Sequence, residues 1–115
     1  MTISDLFHHY YFHDSIFKKL FLDTETGEKA IWCEFCDFLQ ENYQNSEPTN
    51  SDILILFRKH KFSGKFLKNS EVLEQKLIDD NTICFFLANE NHSDFSEFSV
   101  SADDVQIRVN MKYNL

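Results

Sequence analysis

The stretch AIWCEFCDF, residues 30–38, carries two cysteines two residues apart, with a tryptophan directly before the first. These letters suit two different structures. A thiol-disulfide site of the thioredoxin kind needs its first cysteine exposed at a helix N-terminus, where the dipole and unpaired N–H groups favour the thiolate. A buried strand needs only apolar, aromatic and β-branched residues that pack on a pleated surface. Lys29, Ala30, Ile31 and Trp32 contain no helix-start signal, Glu34 between the cysteines disfavours a thiolate, and Pro48 lies in a polar loop. In a strand the three-residue offset sends Cys33 and Cys36 to opposite faces, where they cannot readily pair. Ile31, Phe35 and Leu39, and likewise Trp32, Cys36 and Tyr43, also fall at helical spacing. Aromatic content and the turn just before favour the strand.

The neighbouring segments extend this reading. SIFKKLFLD (15–23) reads as a strand with Ile16, Leu20 and Leu22 on one face and Phe17 and Phe21 on the other, joined by the turn TETGE (24–28) in a hairpin. ENYQNSEPTNSD (41–52) is a polar loop with the sole proline, and ILILF (53–57) is a strand buried on both faces. RKHKFSGKFLK (58–68) continues that strand with a kink at Gly64. NSEVLEQKLIDD (69–80) has Ser70 placed to cap and apolar residues at 72, 73, 77 and 78, which predicts a short amphipathic helix. NTICFFLAN (81–89) is another apolar strand. FSEFSVS (95–101) and VQIRV (105–109) alternate, with Phe98, Val100, Val105, Ile107 and Val109 inward, and predict an antiparallel hairpin across ADD (102–104). At the start, Ser4 or Asp5 caps a helical turn through Leu6 to Tyr10. The expected fold is α+β: a mostly antiparallel sheet or half-open sandwich with one short helix and an N-terminal helical turn, in a single domain over residues 1–115.

Composition sets the outer bounds. With 115 residues, 43% hydrophobic and 13 of them phenylalanine, the chain has enough bulky apolar surface for one core. Two glycines and one proline leave no flexible linker and no glycine-rich phosphate loop. The opening MTISDLFHHYYFHDS lacks the pattern of a secretory leader, and no segment reaches the ~18 apolar residues of a membrane span. Three cysteines suit a reducing compartment, so a cytoplasmic protein with free, buried thiols is expected. A net charge of −8 argues against nucleic acid or an anionic membrane as partner and for a basic one.

Each candidate for chemistry has a structural counterpart. Cys33 and Cys36 would need two more ligands to hold a metal, and Cys84 and His60 are the available ones. His9 and His13 stand at i and i+4 with His8 and Asp14 nearby, a chelating spacing on a helix, or else partly exposed histidines in an aromatic arm. His13, Asp14 and Ser15 carry the letters of a catalytic triad, but consecutive residues point in alternating directions and suit a turn better. Arg58, Lys59, Lys61, Lys65 and Lys68, interleaved with Phe62 and Phe66, have the composition of a single-strand-binding patch or of a solvated strand. Residues 69–104 contrast with them: Glu71, Glu74, Asp79, Asp80, Glu90, Asp94, Glu97, Asp103 and Asp104 stand against Lys76 alone. Such one-signed charge steers a cationic partner, with Phe95 or Tyr113 as apolar anchors. No D-x-D-x-D-G calcium loop accompanies it.

From YFHDSIFKKLFLDTETGEKAIWCEFCDFLQENY and the following SDILILF, the chain resembles small bacterial proteins of unknown function that open with HDS before the first strand. Their second strand often carries a cysteine and a tryptophan ahead of a loop with tyrosine. The resemblance spans residues 10–64, implies a strand at the cysteine pair, and supplies no catalytic residues. By analogy of size, acidity and β-rich make-up, immunity proteins of bacterial toxin systems are the nearest type. The expectation is therefore a non-enzymatic interaction protein without cofactor that binds a basic toxin through Glu90, Asp94, Glu97, Asp103 and Asp104. The alternative is a small thiol- or metal-dependent enzyme using Cys33 and Cys36 or His8, His9 and His13.

Overall fold

The computed structural model describes residues 1–37, 40 and 50–109. They form one helix, α1 (Ile3–His9), and eight strands: β1 (Ile16–Leu22), β2 (Lys29–Cys36), β3 (Asn50–Arg58), β4 (Lys61–Gly64), β5 (Ser70–Asp79), β6 (Thr82–Ala88), β7 (Phe95–Ser101) and β8 (Asp104–Val109). The cysteine pair thus lies in a strand. The polar loop expected at 41–52 falls outside the described residues as far as 49, as do the helical-spacing partners Leu39 and Tyr43 and the candidate anchor Tyr113.

All pairings are antiparallel, in the order β4-β7-β6-β5-β1-β2-β3-β8. β1 and β2 form the expected hairpin, closed by Gly27 in a left-handed conformation (φ 74°) with Asp23 and Glu28 bonded across it. Two connections decide the shape. Only Lys59 and His60 lie between β3, next to one edge of the sheet, and β4 at the opposite edge. Three Cα–Cα steps reach at most about 11 Å. That matches the ~10 Å between packed sheets, so the sheet must fold over on itself. Ala102 and Asp103 make the same jump from β7 to β8, with the Asp103 N–H donating to the Arg58 carbonyl at the crossing. The result is a half-open sandwich, β1-β2-β3-β8 facing β4-β7-β6-β5, not closed into a barrel.

The phenylalanines fill the space between the layers. Phe12 meets Phe17, Phe35 and Phe85 edge-on at centroid distances of 5.9, 5.4 and 5.6 Å, and Phe98 continues the cluster through Phe62 and Phe66. Each such ring removes enough apolar surface from water for about 2–3 kcal/mol. Along the open side α1 adds Ile3 and Leu6 and packs on β5, β6 and β8. Its cap is Thr2, in a reciprocal capping box with Asp5, two or three residues before the cap expected at Ser4 or Asp5. Gln75 anchors the segment after it: its amide donates to the Phe7 and Tyr10 carbonyls, and its oxygen accepts from the Phe12 N–H.

Four further expectations are corrected. Residues 69–80 contain no helix: β5 carries irregularities between Val72 and Glu74 and between Leu77 and Asp79. Leu73 and Ile78 are the extra residues of these bulges, so two apolar doublets imitate helical spacing inside a strand. In β1, a register shift at Lys18 turns Phe17 and Leu20 to the core and Phe21 to the outer face, with Ala30, Trp32, Leu54 and Leu56. Phe17 and Phe21 do not share a face. Finally, β7 and β8 turn Phe98, Val100, Val105 and Ile107 inward as expected, but Val109, at the end of β8, is exposed, and the two strands do not pair, because β8 crosses to the free side of β3. The strand expected to kink at Gly64 also breaks earlier, at Lys59 (φ 49°).

Gly64 ends β4 at φ 79°, where a Cβ would meet the Glu97 carbonyl oxygen; Gly27 has open space around the same position. Gly64→Ala should therefore cost more than Gly27→Ala in urea denaturation, about 2–4 against about 1 kcal/mol. Equal losses would contradict the close β4–β7 approach.

Candidate interaction surface

The HDS segment is the corner where the two layers meet. β1 and β5 share only two register pairs, Ile16↔Glu71 and Phe17↔Ser70. Next to them the Asp14 N–H donates to the Val72 carbonyl and the Val72 N–H to the Ser15 carbonyl, at 2.9 Å each. Asp14 makes this turn at φ 64°, a conformation that Asp tolerates better than most residues. Ser15 is fully buried and its Oγ accepts from the Cys36 N–H, the donor left at the end of β2. His13 donates from Nδ1 to the Leu73 carbonyl at 2.8 Å. The three residues are therefore bound into the backbone frame, with no exposed nucleophile at Ser15.

The other chemical candidates are likewise dispersed. Cys33 points into the core and burial pushes its thiol well above its ordinary pKa; burial raises Cys36 as well, and its Sγ contacts the Asp14 carbonyl. Both are free, as is Cys84 on β6. His8 bonds back to the Ser4 carbonyl within α1, whereas His13 lies beyond the helix, so the expected i,i+4 pair of His9 and His13 does not form on one helical face. Among the described residues, no group of three or more His, Cys, Asp or Glu is placed to hold a metal ion. No helix among them is long and apolar enough to cross a membrane.

The surface feature that stands apart is on the outer face of β5, β6 and β7. Register places Glu74, Phe86 and Glu97 side by side across the three strands, with Glu71, Ala88 and Phe95 in a parallel row. The bulge residue Leu73 stands between the rows and forms one wall of a groove of about 360 Å³; Phe86, Leu87 and Phe95 supply the rest of its apolar lining. Phe95 is 59% exposed, the most exposed large hydrophobic residue described. An apolar groove flanked by two carboxylates suits a segment that is both apolar and cationic.

Protein-family models, curated proteins and solved structures all fail to match the chain. The placement of the acids must therefore be judged from geometry alone. Glu90 and Asp94 lie in the turn between β6 and β7, and Glu97 flanks the groove. Asp103 and Asp104 sit at the far end of β7, about 20 Å along the strand. Asp104 is also held by the N-terminal amine at 2.9 Å, which lowers its carboxyl pKa, and Asp94 lies 3.7 Å from the Lys65 ammonium. The five acids singled out in the sequence do not form one patch. Phe95 was visible in the sequence as an anchor, but Leu73 and Phe86 were not, because their convergence depends on the β5 bulge and on three-strand register. Of the basic stretch, Lys61 lies on edge strand β4 and His60 stacks on Phe62 at 4.6 Å.

Beside the groove, at the corner, a second cleft of about 460 Å³ is lined by Ile16, Lys18, Glu34, Asn69, Glu71 and Glu90. Here Asp14 and Glu71 share a carboxyl–carboxylate hydrogen bond. It raises the Asp14 pKa, while Glu71 is lowered, first by its bond to His92 and also by the one to Asp14. A raised Asp14 favours the fold when protonated, and that contribution is lost as pH climbs through its folded pKa. Asn reproduces the protonated acid and accepts the left-handed backbone. Asp14→Asn should match the wild type in thermal stability below about pH 4 and exceed it near pH 7. Solvent screening keeps the gain to less than about 1 kcal/mol. A loss at pH 7 would show that the ionised pair is favourable.

Proposed function

We propose that the protein is a non-enzymatic interaction domain that recognises a basic protein partner, in its sharpest form an immunity-like inhibitor that occludes a cationic toxin. The observation that carries this reading is the apolar groove of Leu73, Phe86 and Phe95 set between Glu74 and Glu97. An apolar side chain of the partner fills the groove, where desolvating one Phe- or Leu-sized group contributes about 1.5–3 kcal/mol. Basic residues on either side meet Glu74 and Glu97, and Glu90 and Asp94 extend the acidic rim. The excess of nineteen acids over eleven bases draws a cationic partner in before contact. Asp103 and Asp104 then act at long range rather than as contacts. Size, acidity and β-rich make-up support this type by analogy, and three unpaired thiols suit a reducing cytoplasm.

Equilibrium binding to a panel of purified basic toxin domains at 50 to 500 mM salt tests the proposal. A toxin that binds should lose affinity with rising salt. Phe95→Ala should weaken binding at least tenfold at every salt concentration, since it removes the anchor rather than the field. Glu74→Lys with Glu97→Lys should weaken binding mostly at low salt. Binding that ignores all three substitutions would contradict the proposed face.

A further inference from the structure

One side chain links a residue of the corner cleft to a residue of the groove. Register aligns Asp52, Glu34, Ile16, Glu71, Ala88 and Phe95 across six neighbouring strands, so Glu71 on the cleft and Phe95 on the groove lie in one row. His92, from the turn between β6 and β7, joins them. Its Nε2 lies 2.9 Å from Glu71 Oε2, and its ring stands edge-on to Phe95 at 6.2 Å. The ring is exposed and its backbone is left-handed (φ 52°), held by the His92 N–H donating to the Asn89 carbonyl. His92 can therefore swing away without disturbing a strand.

Acids outnumber bases around the Glu71 end of this contact. Asp14 and His13, from the segment before β1, act on Glu71, and Lys18 from β1 and Glu34 from β2 line the same cleft. Glu90 and Asp94 come from the ring's own turn, and Asn69 and Lys65 from the segment leading out of β4. Lys18 is engaged with Glu34 at 3.6 Å and Lys65 with Asp94. Glu71, already bonded to Asp14, has histidines rather than a lysine or arginine beside it, His92 in contact and His13 farther off. The His92 contact is thus open to replacement by a stronger cation.

We propose that Glu71 receives an ammonium or guanidinium group from the same partner segment that fills the groove, and that the His92 imidazole is the internal hydrogen-bond partner it displaces. This rests on the groove being the partner site and adds what the partner must carry: a basic side chain adjoining its apolar anchor. Displacement breaks the 2.9 Å contact between His92 Nε2 and Glu71 Oε2 and takes the ring away from Phe95, so binding moves the His92 side chain while β5, β6 and β7 stay in place.

The probe is a synthetic helical peptide carrying one phenylalanine flanked by arginines, with a second version in which citrulline, a neutral isostere, replaces the arginines. Calorimetry on the folded, full-length protein gives the affinities, and NMR of the histidine side chains reports whether the His92 ring moves. The arginine peptide should shift the His92 ring signals and the citrulline peptide should not. Glu71→Gln, which retains an amide for Asp14, should weaken the arginine peptide and leave the citrulline peptide unchanged. His92→Asn, which keeps the left-handed turn and removes the internal competitor, should tighten the arginine peptide by roughly threefold. Groove-dependent binding, lost in Phe95→Ala, with the His92 ring unmoved or with arginine and citrulline peptides held equally would overturn the displacement and leave the groove standing. Arginine-peptide binding insensitive to Phe95→Ala would overturn the groove itself.

Discussion

The whole architecture depends on the two register pairs between β1 and β5 and on the HDS corner beside them. Two sheet layers need a line along which they are continuous, and here that line is two residues long. It holds because Asp14 and Ser15 exchange backbone bonds with Val72 while Ser15 Oγ ties off the end of β2. Each of these bonds contributes only about 1 kcal/mol net, but losing one would strand a buried donor or acceptor at larger cost. The short connections 59–60 and 102–103 then leave the folded sheet no freedom to open flat. The corner that looked like catalytic letters is the hinge line of the sandwich.

The same constraint shapes the outer surface. Core packing fixes which residues of β5, β6 and β7 face inward, and whatever remains must stand outside. Ile83, Phe85, Leu87, Phe98 and Val100 fill the interior, which leaves Phe86 and Phe95 on the outer face with Glu71, Glu74 and Glu97 around them. The β5 bulge adds Leu73 as a wall. Apolar residues in a groove with acidic flanks are an unstable surface for a lone protein only if nothing arrives to cover them. In this account the negative field and the groove work in sequence: the first raises the encounter rate, and the second holds the partner.

Much of the fold was legible in the sequence, for identifiable reasons. ILILF and NTICFFLAN have no other plausible home than buried strands, TETGE carries the glycine its turn requires, and Glu34 with its neighbours argued the cysteine pair out of a helix. Residues 69–80 were misleading because Val72-Leu73 and Leu77-Ile78 place apolar doublets at helical intervals, and a bulge cannot be told from a helix turn by spacing. The alternation in 95–109 fixes faces, not partners; it is as compatible with β8 beside β3 as with β8 beside β7. The acidity of residues 69–104 was visible too. The groove was not, because Glu74, Phe86 and Glu97 are separated by 11 or more positions and come together only through register.

The most direct test of the central claim, that the outer face of β5, β6 and β7 is the binding surface, is an amide chemical-shift map of the protein titrated with the arginine–phenylalanine peptide. The account predicts saturable shifts confined to residues 71–74, 86–88 and 90–97, with Asp103, Asp104 and the outer face of β1, β2 and β3 unmoved. Shifts centred on Asp103 and Asp104, or spread evenly over every acidic residue, would show that charge alone attracts the peptide and that the groove is not a site.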